Sequence, residues 1–538
     1  MRVLLFAYFV AIAGATLLDS EESSDEQSTS EHSFDEKLQE AYQLLKGDPN
    51  AYDTMELRRK VHSMKDKIID KYMASELPSD DIMRAEEKYA KSVRAHAGVS
   101  AAEINMNNEL GFSLFQGDIM LTKKQANEIL EDIVNSDGDR KKRQAFRDEN
   151  YPGTLWSNGV NYAFWNASHS ARRVFLKAAE IWRENTCLEF REDSSADDVV
   201  WVVHGSSCWS HLGRNGGAQI LSLGDNCDFI GLGLHEIGHT LGLYHTQARH
   251  DRDNFIELRL ENVINGWEDQ FAKQTESTNY NYNITYDYGT VMHYGATAVS
   301  KNGRPYMIPH DTKFLPTLGS YILSFYEKLM VNLHYKCLDK CTKGSSAKCE
   351  NGGFPHPRDC SKCICPSGYG GRLCNQRPPG CGGELTATDD YQELWDVVGQ
   401  KNFDYYGDND DFYYCNYWIR GPPGSTIEVI FQNYTENLAT DGCVRAGVEI
   451  KTLKDQRQTG YRFCSPDYGG TSLISATNMV PVITYSRVYE VTSLLRYRIH
   501  SKGAPATDSP SESTTRPTTE SKQRCYSRLL CTILREEG

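Results

Sequence analysis

Residues 235–245, HEIGHTLGLYH, place three histidines and a glutamate within eleven positions. On an α-helix, residues four apart share a face, so His235 and His239 can direct two imidazoles at one point with Glu236 beside them. Catalytic zinc takes three protein ligands and keeps one position open for water, so a third ligand is needed. His245 cannot supply it if the helix simply continues, because ten residues on it lies about 80° off the shared face and about 15 Å along the axis. Gly242 offers the remedy, since glycine readily adopts the left-handed conformation that ends a helix and turns the chain back. The segment therefore predicts a helix through His239, a stop at Gly242 and a metal site of His235, His239 and His245. An ordinary amphipathic helix with surface histidines would account for HExxH, but not for the glycine and third histidine at these offsets. A structural zinc site is disfavoured as well, because structural zinc usually has four protein ligands, often including cysteine.

At 538 residues the chain is too long for one typical core, so several modules are expected. A formal charge of -15 argues against a nucleic-acid partner, which calls for a basic patch. The chain opens on MRVLLFAYFVAIAGATLL: a charge at Arg2, an apolar run from Val3 to Ile12, and Ala13-Gly14-Ala15 as a cleavage signal. This reads as a secretory signal peptide over residues 1–15. The run is short of the roughly 20 residues that cross a bilayer, and no later segment is long and apolar enough, so a secreted, extracellular protein with no membrane span is expected. Sixteen cysteines, none before Cys187, fit an oxidising compartment. Asn166, Asn283 and Asn433 begin N-x-S/T sequons and are candidate glycosylation sites.

From Thr16 to about Asp35 the sequence is acidic and Ser-rich, with too few apolar residues to build a core. From Leu38 to Ala97 a helical pattern follows, with Leu57, Val61, Met64, Ile68 and Ile69 recurring at three- and four-residue steps on a charged background that suits solvated helices. The tetrad Arg140-Lys141-Lys142-Arg143 sits between a cysteine-free and a cysteine-bearing segment, which suggests cutting by a furin-like convertase between Arg143 and Gln144. A solvated charge run is the alternative. Residues 169–184 then carry Val174, Phe175, Ala178, Ile181 and Trp182 on one helical face, and VVWVV at 199–203 reads as a buried strand. Between Cys341 and Cys374 the cysteines crowd into a unit too small for a hydrophobic core, which needs disulfide staples. Residues 381 to about 500 are strand-rich, with alternation in STIEVIFQNY, and a Ser/Thr/Pro-rich linker begins after Lys502. Cys525 and Cys531 have no assigned role.

The string HExxHxxGxxH resembles the metzincin motif, and its continuation resembles that of the astacin family, HExxRxDRD, matched here by Arg249, Asp251, Arg252 and Asp253. Thr246 departs from the pattern, standing where the family has a glutamate that helps anchor the amino terminus formed when the propeptide leaves. TVMHY at 290–294 is similar to the family's Met-turn, S-x-M-H-Y, with Thr290 for serine, which implies Met292 beneath the metal and Tyr294 as a switchable ligand. Phe115-Gln116-Gly117-Asp118 resembles the propeptide motif F-x-G-D, and implies that Asp118 is a latency switch occupying the water's place on zinc. Across residues 115–337 the resemblance implies an α+β metzincin catalytic domain holding one Zn2+, with Glu236 as general base and disulfides Cys187–Cys337 and Cys208–Cys227.

The cysteine cluster resembles an EGF-like module, implying Cys341–Cys360, Cys349–Cys363 and Cys365–Cys374. CGGELTATDDYQ onward is similar to a CUB domain, an all-β sandwich, implying Cys381–Cys415 and Cys443–Cys464. Many CUB domains bind calcium through an aspartate shortly after the third cysteine; no acid follows Cys443 before Glu449, so no calcium is expected there. The expected multidomain plan is a signal peptide at 1–15, a propeptide at 16–143, a catalytic domain at 144–337, an EGF-like module at 338–375, a CUB domain at 381–501 and an unassigned tail at 502–538. This order resembles the nematode astacins and implies a secreted, latent zinc endopeptidase acting on extracellular matrix or cuticle proteins. No residue identifies a protein partner for the EGF and CUB modules. The rival reading is a secreted binding protein built around a dead protease fold, against which stands the complete set of His235, Glu236, His239, His245 and Tyr294.

Overall fold

The computed structural model describes residues 33–72, 79–93, 100–134, 145–146, 150–275, 279–341, 346–401 and 410–501. The signal peptide, Arg143 and Gln144 of the cleavage site, and the tail with Cys525 and Cys531 lie outside the described residues.

The chain begins with helices α1 (Phe34–Leu45), α2 (Ala51–Ser63), α3 (Lys65–Tyr72), α4 (Asp80–Ser92) and α5 (Ala101–Asn107), then strand β1 (Ile119–Met120) and helix α6 (Lys123–Val134). A capping box starts α1: the Ser33 hydroxyl accepts the Glu36 N–H at 3.3 Å, and the Glu36 carboxylate accepts the Ser33 N–H at 2.7 Å. These helices are not the solvated set that their charge suggests. Leu57, Val61 and Ile68 pack with Phe115, Ile119, Phe146 and Tyr244, most of them far away in sequence. Two of their charges are buried in pairs with the unit that follows. Arg58 Nη1 donates to Asp269 Oδ2 at 2.9 Å, and Asp48 Oδ2 lies 2.9 Å from His211 Nε2.

That unit contains β2 (Ala145–Phe146), β3 (Val160–Trp165), α7 (His169–Asn185), β4 (Phe190–Glu192), β5 (Val199–Val203), β6 (Cys208–His211), β7 (Ala218–Leu223), α8 (Ile230–Thr240), β8 (Ile256–Leu258), β9 (Asn279–Tyr280), β10 (Met307–Pro309) and α9 (Phe325–His334). Its main sheet runs β1-β6-β7-β5-β3-β4. Only the β6–β7 pair in this sheet is antiparallel, and β1, from the segment before the basic tetrad, extends the β6 edge in parallel. Helix α7 starts where the Ser168 hydroxyl accepts the Ala171 N–H at 3.0 Å, and it buries Val174, Phe175, Ala178 and Trp182 against the sheet and α8. The disulfide Cys187–Cys337 ties the end of α7 to the chain just beyond α9, and Cys208–Cys227 links β6 to the approach of α8.

A hairpin of β11 (Phe354–His356) and β12 (Asp359–Ile364) follows, stapled by Cys341–Cys360, Cys349–Cys363 and Cys365–Cys374. The last unit has strands β13 (Gly382–Thr386), β14 (Gln392–Val398), β15 (Tyr413–Arg420), β16 (Thr426–Tyr434), β17 (Ala446–Ile450), β18 (Tyr461–Phe463), β19 (Thr471–Ile474), β20 (Met479–Ser486) and β21 (Val491–Ser501). They form a five-stranded sheet, β13-β15-β20-β17-β18, packed on a four-stranded one, β14-β21-β16-β19. In β16 the buried Ile427, Val429 and Phe431 alternate with more exposed neighbours, and the Phe431 ring centroid lies 5.0 Å from that of Phe463 in the other sheet. Cys381–Cys415 and Cys443–Cys464 close the sandwich. It docks on the unit that runs from β2 to α9 through specific contacts: Tyr461 donates to Asp311 Oδ2 at 2.7 Å, Arg462 Nη1 to Ser320 Oγ at 2.6 Å, and the Thr459 N–H to Asp287 Oδ1 at 3.0 Å. Among the described residues no helix is long and apolar enough to cross a membrane.

The Cys187–Cys337 bridge spans 150 positions of sequence, the longest span of the seven disulfides among the described residues. Replacing both cysteines by serine is expected to destabilise this unit by about 3–5 kcal/mol. Denaturant titration followed by tryptophan fluorescence checks this as a lower midpoint.

Candidate metal centre

Every residue of α8 is buried, and the helix ends where the sequence expects. Gly242 has φ +92°, the Gly242 N–H donates to the His239 carbonyl at 2.8 Å, and the Leu243 N–H donates to the Gly238 carbonyl at 2.9 Å. These two bonds are a Schellman ending, and they swing the chain back so that His245 faces the helix it has just left. The ring centroids of His239 and His245 lie 4.7 Å apart, and those of His235 and His245 5.1 Å apart.

The tautomers follow from their partners. His235 Nδ1 is 2.7 Å from the Val291 carbonyl and His239 Nδ1 is 2.7 Å from the Leu243 carbonyl. A carbonyl only accepts, so each Nδ1 carries a proton, and each Nε2 of the neutral rings presents a lone pair. Those lone pairs converge: His235 Nε2 lies 3.1 Å from His239 Nε2 and 3.2 Å from His245 Nε2. Asp118 closes the group, with Oδ2 at 3.2 Å from the Nε2 atoms of His235 and His245 and Oδ1 at 3.4 Å from that of His239. The four residues are buried and their ligand atoms fit around one ion.

One proton cannot satisfy such a group. Against its burial, Asp118 raises His235 from its ordinary value, whereas burial pushes His239 down and His245 down to about 3. Burial also opposes the charge of Asp118, but His245 and its neighbours hold the carboxyl well below its usual range. A proton on one imidazole leaves two lone pairs facing a carboxylate, while a divalent cation satisfies all four donors. The residues present therefore fit a zinc ion.

Asp118 reaches this point by a tight turn. Phe115 and Ile119 exchange backbone hydrogen bonds at 3.0 Å, and Gln116 and Gly117 between them take φ of 48° and 86°. A Cβ on Gly117 would meet Trp267 at 2.5 Å, so only glycine fits. Side chains that no local pattern announces fix the turn: Asn105 donates to the Gly117 carbonyl at 2.8 Å, and Gln270 accepts the Gln116 N–H at 2.7 Å.

Around the donors stand the other expected residues. Both carboxylate oxygens of Glu236 are buried without a hydrogen-bond partner, and burial, reinforced by the charge of Asp118, pushes this carboxyl well above its usual range. The Tyr294 hydroxyl donates to the Gln116 carbonyl and stands 3.4 Å from Asp118 Oδ2, with its ring 4.4 Å from that of His245. Met292 forms the floor: a Cβ on Gly238 would meet its sulfur at 2.5 Å. Thr246 and Thr290, the two departures from the family strings, are hydrogen-bonded to each other, hydroxyl to hydroxyl, at 2.6 Å. Arg249 makes two bonds to Asp251 at 2.7 and 2.8 Å, while Arg252 donates to Asp253 at 3.0 Å, so these residues brace the loop beneath the site. Asn166, Asn283 and Asn433 take no part and lie exposed. Glu449 is held by Arg462 Nε at 3.0 Å and the Gly460 N–H at 3.1 Å.

Two histidines and a glutamate on one helix, a third histidine from the turn beyond it and a methionine floor define a metallopeptidase-type centre. The profile of the astacin peptidase family matches residues 148–336. Zinc metalloproteinase nas-31 of Caenorhabditis elegans is 42% identical over 405 residues, covering 74% of this chain and 66% of that protein. Zinc metalloproteinase nas-25 of the same organism is 37% identical over 374 residues, covering 67% of this chain and 91% of that protein. Among solved structures, high choriolytic enzyme 1, a hatching enzyme zinc-protease from Oryzias latipes, is 30% identical over 36% of this chain and 99% of that one, with a TM-score of 0.34. The chain belongs to the astacin family of zinc metallopeptidases. It spans 66% of nas-31 and 60% of the nas-32 protein.

Metal-free protein titrated with zinc is expected to bind one equivalent and gain thermal stability, about 4 kcal/mol at a thousand times Kd. Calorimetry and melting curves check this; His239→Ala should abolish the saturable equivalent.

Proposed function

We propose that this chain is a secreted zinc-dependent endopeptidase made as a latent precursor. The observation that carries the proposal is the convergence of the His235, His239 and His245 Nε2 atoms on the Asp118 carboxylate, 3.2 to 3.4 Å away, with Glu236 unpartnered beside them. Zinc held there supplies Lewis acidity to a peptide carbonyl and acidifies a water at neutral pH. The protein's own groups do the rest. Once Asp118 has withdrawn, Glu236 takes the proton of the attacking water and returns it to the leaving amine. Tyr294, whose hydroxyl in the latent form donates to the Gln116 carbonyl, donates instead to the oxygen that becomes negative. Met292 and the carbonyls of Val291 and Leu243 keep the imidazoles oriented throughout.

Latency has two parts in this reading. Asp118 fills the position a water needs, and β1 occupies the sheet edge at β6 where an extended substrate would add a strand. Cutting after Arg143 by a furin-like convertase would free residues 16–143 as a prosegment and begin the active chain at Gln144. Residues 1–15 act as signal peptide, and Asn166, Asn283 and Asn433 are accessible glycosylation sites. The stapled hairpin of residues 338–375 is the EGF-like module, and the sandwich of residues 381–501 is the CUB domain, with the tail at 502–538 unassigned. Substrates are proteins of the extracellular matrix or cuticle.

Hydrolysis of gelatin and of a quenched peptide library by the convertase-cut protein tests the proposal. Glu236→Ala should lower kcat about 10²–10⁴-fold with zinc content unchanged. Equal turnover by the two proteins would remove the base assignment. Tyr294→Phe should cost about 10²–10³-fold in kcat. Asp118→Ala should give the uncut precursor measurable activity; a fully latent uncut variant would show that Asp118 is not the switch.

A further inference from the structure

Besides its contacts at the metal centre, the prosegment makes a buried contact with the C-terminal sandwich. Tyr89 of α4 is fully buried, and its hydroxyl donates to Asp441 Oδ1 across 352 positions of sequence. The other oxygen of Asp441, Oδ2, accepts from the Thr297 N–H at 2.9 Å and from the Thr297 hydroxyl at 3.0 Å. One carboxylate thus joins the prosegment, the catalytic unit and the sandwich. Its position is built: Asp441 precedes Cys443, which is bridged to Cys464, and a Cβ on Gly295 would fall 2.2 Å from Asp441 Oδ2.

The flanks of α4 divide in the same way. Glu86 Oε1 accepts from Asn262 Nδ2 at 3.2 Å and lies 3.6 Å from Arg304 Nη1, both in the catalytic unit. Lys88 Nζ sits 4.6 Å above the ring of Tyr468, in the sandwich. The helix therefore lies in a cleft with one wall from each unit. Both walls are already fixed to each other by the Asp311, Ser320 and Asp287 contacts.

We infer that the C-terminal sandwich is a second holdfast on the prosegment, in which Asp441 grips Tyr89, so that release requires undocking α4 as well as withdrawing Asp118. The inference rests on reading residues 16–143 as a prosegment. The physical ground is the cost of leaving a buried carboxylate oxygen without its donor: Tyr89 fills the space above Asp441 and satisfies Oδ1, and an apolar replacement of the hydroxyl would keep the space filled while removing the bond. Cutting the chain near Arg143 leaves this contact untouched, so the cut prosegment stays bound until α4 lets go.

The test is the dissociation of the prosegment from the full-length precursor after convertase cutting, followed by gel filtration and by a fluorescent label on the prosegment. Tyr89→Phe should speed dissociation by about tenfold or more. The chain left behind is then identical to wild type, so its melting temperature and peptide hydrolysis must not change. Asp441→Asn should also speed release, and combining it with Tyr89→Phe should add little. A Tyr89→Phe prosegment that leaves within about twofold of the wild-type rate overturns the inference, as does a fully multiplicative double variant. Because the readout is release and not hydrolysis, the two readings separate. Faster release from a chain that never cleaves peptides would keep the holdfast and remove the peptidase; normal hydrolysis with unaltered release would do the reverse.

Discussion

Four electron-pair donors meeting at one buried point is the arrangement on which the rest of this structure depends. Without a cation, the Nε2 lone pairs of His239 and His245 and the Asp118 carboxylate oppose one another in a buried site. Every neighbouring feature serves to keep them there. The Schellman end of α8 brings His245 round, two backbone carbonyls fix the tautomers, and the sulfur of Met292 rests where Gly238 lacks a side chain. Such preorganisation lets a metal bind without further reorganisation of its ligands.

The segment before the basic tetrad is as deeply built in as the catalytic unit itself. It contributes a strand to the main sheet, a carboxylate beside the three imidazoles, a buried ion pair through Arg58 and a buried contact of Asp48 with His211. Breaking one partner of a buried pair costs about 3–5 kcal/mol, because the other charge stays behind uncompensated. The hold on this segment is thus spread over buried contacts with partners far apart in sequence. In the latent form proposed above, the Asp118 carboxylate would decide whether the centre can work, and the helices how long it stays closed.

What is legible in the sequence is local. HEIGHTLGLYH carries its helix, its glycine stop and its third histidine within eleven residues, because each step is a near-neighbour backbone requirement. The turn at Phe115–Asp118 and the disulfide pairs come from resemblance to a family, not from spacing; the seven bridges in the structure join those same cysteines. What escapes is non-local. The charged pattern of residues 38–97 suggests solvated helices, since nothing near Arg58 announces Asp269 across 211 positions. The bond between Thr246 and Thr290 is equally hidden, although both residues stand out as departures from the family strings. Tyr89 carries no mark in sequence of its tie to Asp441.

X-ray absorption at the zinc edge of the uncut precursor, compared with its Asp118→Ala variant, tests most directly whether the prosegment carboxylate shares the metal with three imidazoles. Three nitrogen ligands and an aspartate oxygen in the precursor, with a changed oxygen shell and altered edge in the variant, is the expected result. Superimposable spectra from the two proteins would show that Asp118 is not a ligand and that the centre is kept silent by some other means.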